Sequence, residues 1–317
     1  MSGPYVAGID LGGTKILTVC LDASLEVVGR DYRETGASDG PEAVIERMTA
    51  SARAAAGARA IAAAGVSTPG PVDLVRGIVT APPNLPGWRD VPLADLISRN
   101  LGVPAWIEND ANAAALAEHR LGAGRGSQHV ILVTIGTGIG GGLILDGRLY
   151  HGASGGAGEI GHMLVEPGGR LCGCGVRGHL EAMASGSALD AAARDIAASE
   201  PEGLVAVTAR RENSQPDARI LDDAAAAGDA SARAAVERAG HYLGIGLTNL
   251  VNVFNPQVIV VGGSVRKSTL YLQTAIAVMQ HDAFAQHSAD VRVVAAALDG
   301  DEAAIGAALL ALDRLQT

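Results

Sequence analysis

A chain of 317 residues is long enough for two domains with separate cores, and its 48% apolar content excludes a disordered chain. The formal net charge of −10 excludes the basic footprint that a nucleic-acid partner requires. No apolar run reaches membrane-span length, because the alanine-rich stretch at 52–64 is broken by Arg53 and Arg59. Aromatics make up only 3%, so helices are expected to pack closely through small side chains. The chain starts almost at once on a strand, without the basic and apolar segments of a signal peptide, and a cytoplasmic protein is expected.

Apolar runs predict strands at 5–11, 15–21 and 25–31, the third after an Asp-Ala-Ser turn. Cys20 falls on the second strand as a buried free thiol. Pro41 opens a helix with apolar residues at Val44, Ile45 and Met48. A further strand runs to about Ser67, and the segment from Pro82 to Trp88 is too rich in proline and glycine to be regular, so it is expected as a stiff, exposed loop. A short helix at 92–101 leads to a strand ending at Glu108-Asn109-Asp110, and 111–121 is helical. The scheme repeats from a strand at 129–135. Residues 151–181 form an irregular insertion rich in Gly, His and Cys. Helices are expected at 186–198, 217–227 and 231–253, a strand at 257–261 before Gly262-Gly263-Ser264, and a last helix at 302–314. Strands alternating with helices indicate an α/β architecture.

Two glycine-threonine turns look like copies of one device. Asp10-Leu-Gly12-Gly13-Thr14-Lys15 and Gly136-Thr137-Gly138 each join two apolar strands, suggesting two similar lobes around a polyphosphate. Glycines let a turn present N–H groups to an anion, Thr14 adds a hydroxyl and Lys15 a point charge. Asp10 has the chemistry to hold Mg²⁺ through water. A tight hairpin accounts for the first turn about equally well. The spacing is neither that of the P-loop nor that of the dinucleotide fingerprint. Gly263 either admits an adenine against the backbone or caps its strand.

Asp110 precedes a helix, and on residue chemistry alone it reads first as an N-cap. Phosphoryl transfer to an alcohol also needs a carboxylate at such a tip, with Asn109 holding neighbouring hydroxyls. His162-x₉-Cys172-x-Cys174-x₄-His179 has the ligand types and local spacing of a tetrahedral structural zinc site. Glu159 and Glu181 flank it.

Together these segments resemble the ROK family (repressors, uncharacterised reading frames and sugar kinases), over essentially the whole chain. The segments that carry the resemblance are Asp10–Lys15, Glu108-Asn-Asp-Ala-Asn-Ala, Ile135–Gly142, and Gly158-Glu-Ile-Gly-His162 followed by Cys172–Glu181. The resemblance implies an actin-like (RNase H-like) duplicated two-lobe α/β fold with an interlobe cleft. The small lobe would span 1–110, with the helix at about 302–317 packing back on it, and the large lobe 111–301. It implies an ATP-dependent hexokinase-type enzyme that phosphorylates glucose, with Asp110 as general base. Asn84, Asn109, Asp110, Glu159, His162 and Glu181 would contact the sugar. Asp10, Gly12, Gly13, Thr14, Lys15, Gly136, Thr137, Gly138 and Gly263 would bind ATP with Mg²⁺. His162, Cys172, Cys174 and His179 would hold a structural Zn²⁺, and His162 would turn its second ring nitrogen to the sugar. Position 179 is a departure, since the family usually has a third cysteine there. The alternatives are a kinase for mannose, fructose, N-acetylglucosamine or N-acetylmannosamine, and a non-catalytic sugar sensor. The sensors carry a DNA-binding helix-turn-helix ahead of this region, for which the first strand leaves no room. A homodimer or homotetramer is implied.

Overall fold

In the computed structural model, which describes residues 4–298 and 300–316, two five-stranded sheets share one strand order. The extreme ends of the expected small lobe (residues 1–3) and of the last helix (Thr317) lie outside the described residues. The first half contains β1 (Tyr5–Leu11), β2 (Lys15–Leu21), β3 (Val27–Glu34), α1 (Pro41–Ala56), β4 (Ile61–Thr68), the short pair β5 (Val72–Asp73) and β6 (Ile78–Val79), α2 (Leu93–Leu101), β7 (Ala105–Asn109) and α3 (Asp110–Arg120). The remainder contains β8 (Val130–Ile135), β9 (Ile139–Leu145), β10 (Arg148–Leu149), α4 (Leu180–Ala184), α5 (Gly186–Ser199), α6 (Leu204–Glu212), α7 (Ala218–Ala226), α8 (Ala230–Phe254), β11 (Val258–Gly262), α9 (Thr269–Asp282), α10 (Ala285–Asp290), β12 (Arg292–Ala295) and α11 (Glu302–Leu315).

The first sheet has the order β3-β2-β1-β4-β7 and the second β10-β9-β8-β11-β12. In the first, an antiparallel hairpin pairs Asp10 with Leu17, and β4 and β7 follow in parallel. The matching order bears out the duplication expected from the two turns. β3 starts two residues later than expected. The turn before it runs on through Glu26, because Asp22 Oδ1 accepts from the N–H groups of Ser24 and Glu26 and Leu25 adopts a positive φ of 66°.

The chain divides into two compact units. One comprises Met1–Leu132, Gly142–Gly158 and Ala296–Thr317, the other Val133–Gly141 and Glu159–Ala295. In the first, α1 and α2 cover one face of the first sheet, and their core takes in Leu85 and Trp88. The Pro82–Trp88 loop is therefore anchored rather than simply exposed. Burying Leu85 alone stabilises the fold by about 2–3 kcal/mol. The other face carries α3 and α11. Small residues set the spacing there. A Cβ on Gly8 would lie 2.0 Å from the Ala304 carbonyl oxygen, and one on Gly65 1.8 Å from that of Ala307. In the second unit α8 lies along α9, and the buried Tyr271 hydroxyl donates to the Ala184 carbonyl at 2.6 Å. Among the described residues no helix is long and apolar enough to cross a membrane.

Candidate active site and metal centre

The first glycine turn is built from behind. Gly12 N–H donates to the Lys15 carbonyl at 2.9 Å, and Thr35 braces the turn by donating its N–H to Thr14 and its hydroxyl to Gly12. Thr14 and Lys15 are exposed beyond it. A Cβ on Gly13 would sit 3.0 Å from Asn84 Cβ, so the turn and the Pro82–Trp88 loop approach closely here. At the end of β1, Asp10 accepts from Ser67 Oγ at 2.9 Å. Burial, the largest influence, pushes its carboxyl up to about 6, and the Asp110 carboxylate adds to the effect. Ser67 and Lys15 oppose it.

At the end of β7 the structure corrects the first reading of Asp110. Asn109 caps α3, its Oδ1 accepting from Ala111 and Asn112 N–H at 3.0 and 3.3 Å. The carbonyl end of Asn109 is thus committed to the helix, and its amide nitrogen is the end open to a hydroxyl. Asp110 is the first helical residue, exposed, with Oδ1 on the Ala111 N–H at 2.8 Å. A helix N-terminus favours the ionised carboxylate.

Behind this pair lies a buried polar network that the sequence reading did not identify. Glu108 is 2% exposed. Its Oε1 accepts from Asn109 N–H and Asn112 Nδ2, both at 3.0 Å, and its Oε2 lies 2.7 Å from His151 Nε2. The Glu108 hydrogen bond raises the His151 pKa above the ordinary histidine value.

In the second unit, the Gly136 and Thr137 carbonyls accept from Gly186 and Ser187 N–H at the start of α5. A Cβ on Gly136 would meet nothing, whereas one on Gly138 would lie 2.3 Å from Glu181 Oε2. Glu181 Oε2 also accepts from Ile139 N–H at 3.0 Å, so this carboxylate is fixed against the turn. Gly263 has φ of 84°, and a Cβ there would lie 2.2 Å from the Ile135 carbonyl oxygen. Close packing against β8 therefore suffices to require glycine at that position. Glu159 is exposed, with a carboxylate oxygen 3.9 Å from His162 Nε2. A cavity of about 290 Å³ in this unit, lined by Glu166, Arg170, Leu189, Arg238 and Tyr242 among others, includes none of these residues.

One ligand atom from each of His162, Cys172, Cys174 and His179 falls within 4.8 Å of all the others. His179 Nδ1 lies 3.2 Å from Cys174 Sγ and 3.3 Å from His162 Nδ1, and Cys172 Sγ lies 3.9 Å from His162 Nδ1. Tetrahedral zinc with bonds of 2.0–2.3 Å separates its ligand atoms by roughly 3.3–3.8 Å. The four residues therefore fit a zinc ion. Backbone pairing holds them in place. Leu164 bridges His179, Leu171 bridges Arg177, and Gly175 N–H closes the Cys172–Cys174 knuckle onto the Cys172 carbonyl.

Residues 6–314 match the sequence pattern of the ROK family. The chain belongs to the ROK family. A glucokinase of Thermotoga maritima is 36% identical over 261 residues, covering 82% of each chain. A ROK hexokinase from Thermus thermophilus superposes with a TM-score of 0.84 at 37% identity, covering 98% of this chain and 99% of the other. A ROK glucokinase from Streptomyces griseus, solved with glucose and AMPPNP, gives 0.83 and 34% over 98% and 99%. The fold is thus the actin-like two-lobe α/β fold of the ROK sugar kinases. At the position of the usual third ROK cysteine, His179 turns Nδ1 into the cluster with Cys174 rather than away from it.

Proposed function

We propose that this protein is an ATP-dependent hexokinase of the glucokinase type, which transfers the γ-phosphoryl group of ATP to the 6-hydroxyl of glucose. The observation that carries the reading is the Asn109–Asp110 junction, an exposed carboxylate held at a helix N-terminus beside an amide nitrogen open to a hydroxyl. Its setting supports it, namely a ROK chain that is 36% identical to a glucokinase and similar to a structure holding glucose and AMPPNP.

In this reading Asp110 accepts the proton of the sugar hydroxyl as its oxygen bonds to the γ-phosphorus. The bond from that phosphorus to the β,γ-bridging oxygen breaks, and ADP leaves. Asn84, Asn109, Glu159, His162 and Glu181 hold the remaining hydroxyls, His162 through Nε2. The first turn offers N–H groups, Thr14 and Lys15 to the phosphates. Gly136, Thr137, Gly138 and Gly263 would contact the nucleotide, with open space beside Gly136 for its approach. Bound Mg²⁺ would neutralise phosphate charge, with Asp10 as the carboxylate facing it. His162, Cys172, Cys174 and His179 would hold zinc, which keeps the insertion ordered and fixes the imidazole of His162.

The test is a coupled ADP-release assay over glucose, mannose, fructose, N-acetylglucosamine and N-acetylmannosamine, with zinc measured on the same sample. Glucose is expected to give the highest kcat/KM. Preference for another hexose would correct the substrate, and no release with any hexose would refute the kinase reading.

A further inference from the structure

We infer that His151 is a positioning residue for phosphoryl transfer, holding through the buried Glu108 carboxylate the segment that presents Asn109 and Asp110. The inference rests on the kinase reading above, with Asp110 as base. All the groups concerned lie in one compact unit.

A carboxylate that is 2% exposed needs every lone pair answered, because an unpaired buried charge is costly. Glu108 Oε1 is answered locally, by the N–H of Asn109 and the amide of Asn112. These two donors bracket Asp110 in sequence, so the carboxylate sets both the end of β7 and the first turn of α3. The Asn112 amide is turned to serve it. Its nitrogen donates to Glu108, while its Oδ1 is buried without a partner among the described residues. An orphaned acceptor costs about 1–3 kcal/mol, so satisfying the carboxylate outweighs satisfying Asn112. Oε2 depends on a single distant residue, His151, 43 positions away and 2.7 Å distant. Nε2 must carry the proton in this bond, whichever charge state the ring adopts.

Protonated, the ring also supplies the cation that offsets the buried carboxylate. Of the charged groups acting on it, Glu108 on β7 favours the imidazolium and Arg314 on α11 opposes it. As pH rises above the ordinary histidine range the cation is lost, while the Nε2–H bond can persist. The hold on the catalytic segment then weakens without disappearing. Small displacements of a reacting group cost up to about 100-fold in rate.

His151→Ala, His151→Gln and the wild type would be compared for hexose-dependent ADP release across pH 6–9.5, with melting temperatures alongside. Alanine is expected to lower kcat by about 10–100-fold while leaving KM for ATP within about twofold. Glutamine, which still donates to Glu108, should recover most of kcat near pH 7. It should also abolish the severalfold decline of kcat expected of the wild type as pH rises past the ordinary histidine range. If alanine unfolds the chain, the glutamine profile decides. Unchanged kcat in His151→Ala, or a glutamine variant with the wild-type pH profile, would overturn the inference whatever happens to melting temperature. A wild type inactive with every hexose would instead bring down the kinase reading itself, and the inference with it.

Discussion

Asp10 and Asp110 are both carboxylates near the candidate phosphate site, yet their environments differ. Asp110 is exposed on a helix N-terminus, and Asp110→Asn should fold normally and lower kcat by about 100-fold or more, with KM for glucose changed little. Full activity in that variant would remove Asp110 from the mechanism. Asp10 is half-buried at the end of β1, and its carboxyl is raised from 3.8 to about 6 by desolvation first and by Asp110 next. A carboxyl whose folded value is raised contributes stability that is complete below the unfolded value and lost as pH rises through the folded one. Asp10→Asn should therefore stabilise the ligand-free protein at pH 7.5 by on the order of 1–3 kcal/mol, with no gain near pH 4. Chemical denaturation at the two pH values checks the sign. The same variant should lose activity with MgATP, and a variant that is more stable yet fully active would show that Asp10 is not needed there. The sequence located this segment but assigned the cap one residue late. Asn and Asp have equal N-cap preference, and only the backbone geometry at 109 separates them.

The insertion between β10 and α4 was legible because its four candidate metal ligands lie in one short stretch of chain, where spacing alone restricts their distances. Elements defined by distant partners were not. The strand β12 shows no alternation and takes its place from β11, α10 buries nothing, and α9 gains its buried face mainly from α8, with Tyr271 also reaching α4. The Pro82–Trp88 loop hid its anchors for the same reason, since what buries Leu85 and Trp88 comes from α1, α2 and the sheet. The insertion has little apolar core of its own, with Leu164, Leu171 and Val176 all exposed. Its order should therefore depend on the metal. One zinc per chain is expected by elemental analysis. Stripping it with a strong chelator should lower the melting temperature and raise KM for glucose more than KM for ATP, because the proposed sugar contact His162 lies in the insertion and Glu181 follows it at the start of α4. Cys174→Ser should behave like the stripped protein, whereas His179→Cys should keep the zinc. Metal-free protein of unchanged stability and KM would refute the assignment.

At the scale of the whole molecule, the repeated turn pointed to two similar lobes, and the two sheets do share one strand order. The packing of α11 on the first sheet was implied only by family resemblance. Its physical basis is a set of glycines opposite its backbone, Gly8 and Gly65. The His151–Glu108 bond is a similar long-range pairing that no local pattern announces. Binding and chemistry separate at this scale, because sugar contacts stabilise the fold whether or not transfer follows. A ligand present at about 100 times its Kd adds about 2.7 kcal/mol to stability. For a protein of this size, that shifts the melting temperature by roughly 4 °C. Glucose should produce such a shift in the wild type and in Asp110→Asn, since the asparagine keeps the shape and one polar contact of the aspartate. Asn109→Ala should lose both the shift and the activity, and it should also lose about 1 kcal/mol of stability with the helix cap. A melting temperature indifferent to glucose but raised by another hexose would reassign the substrate while leaving the fold, the proposed base and the candidate metal centre where they are.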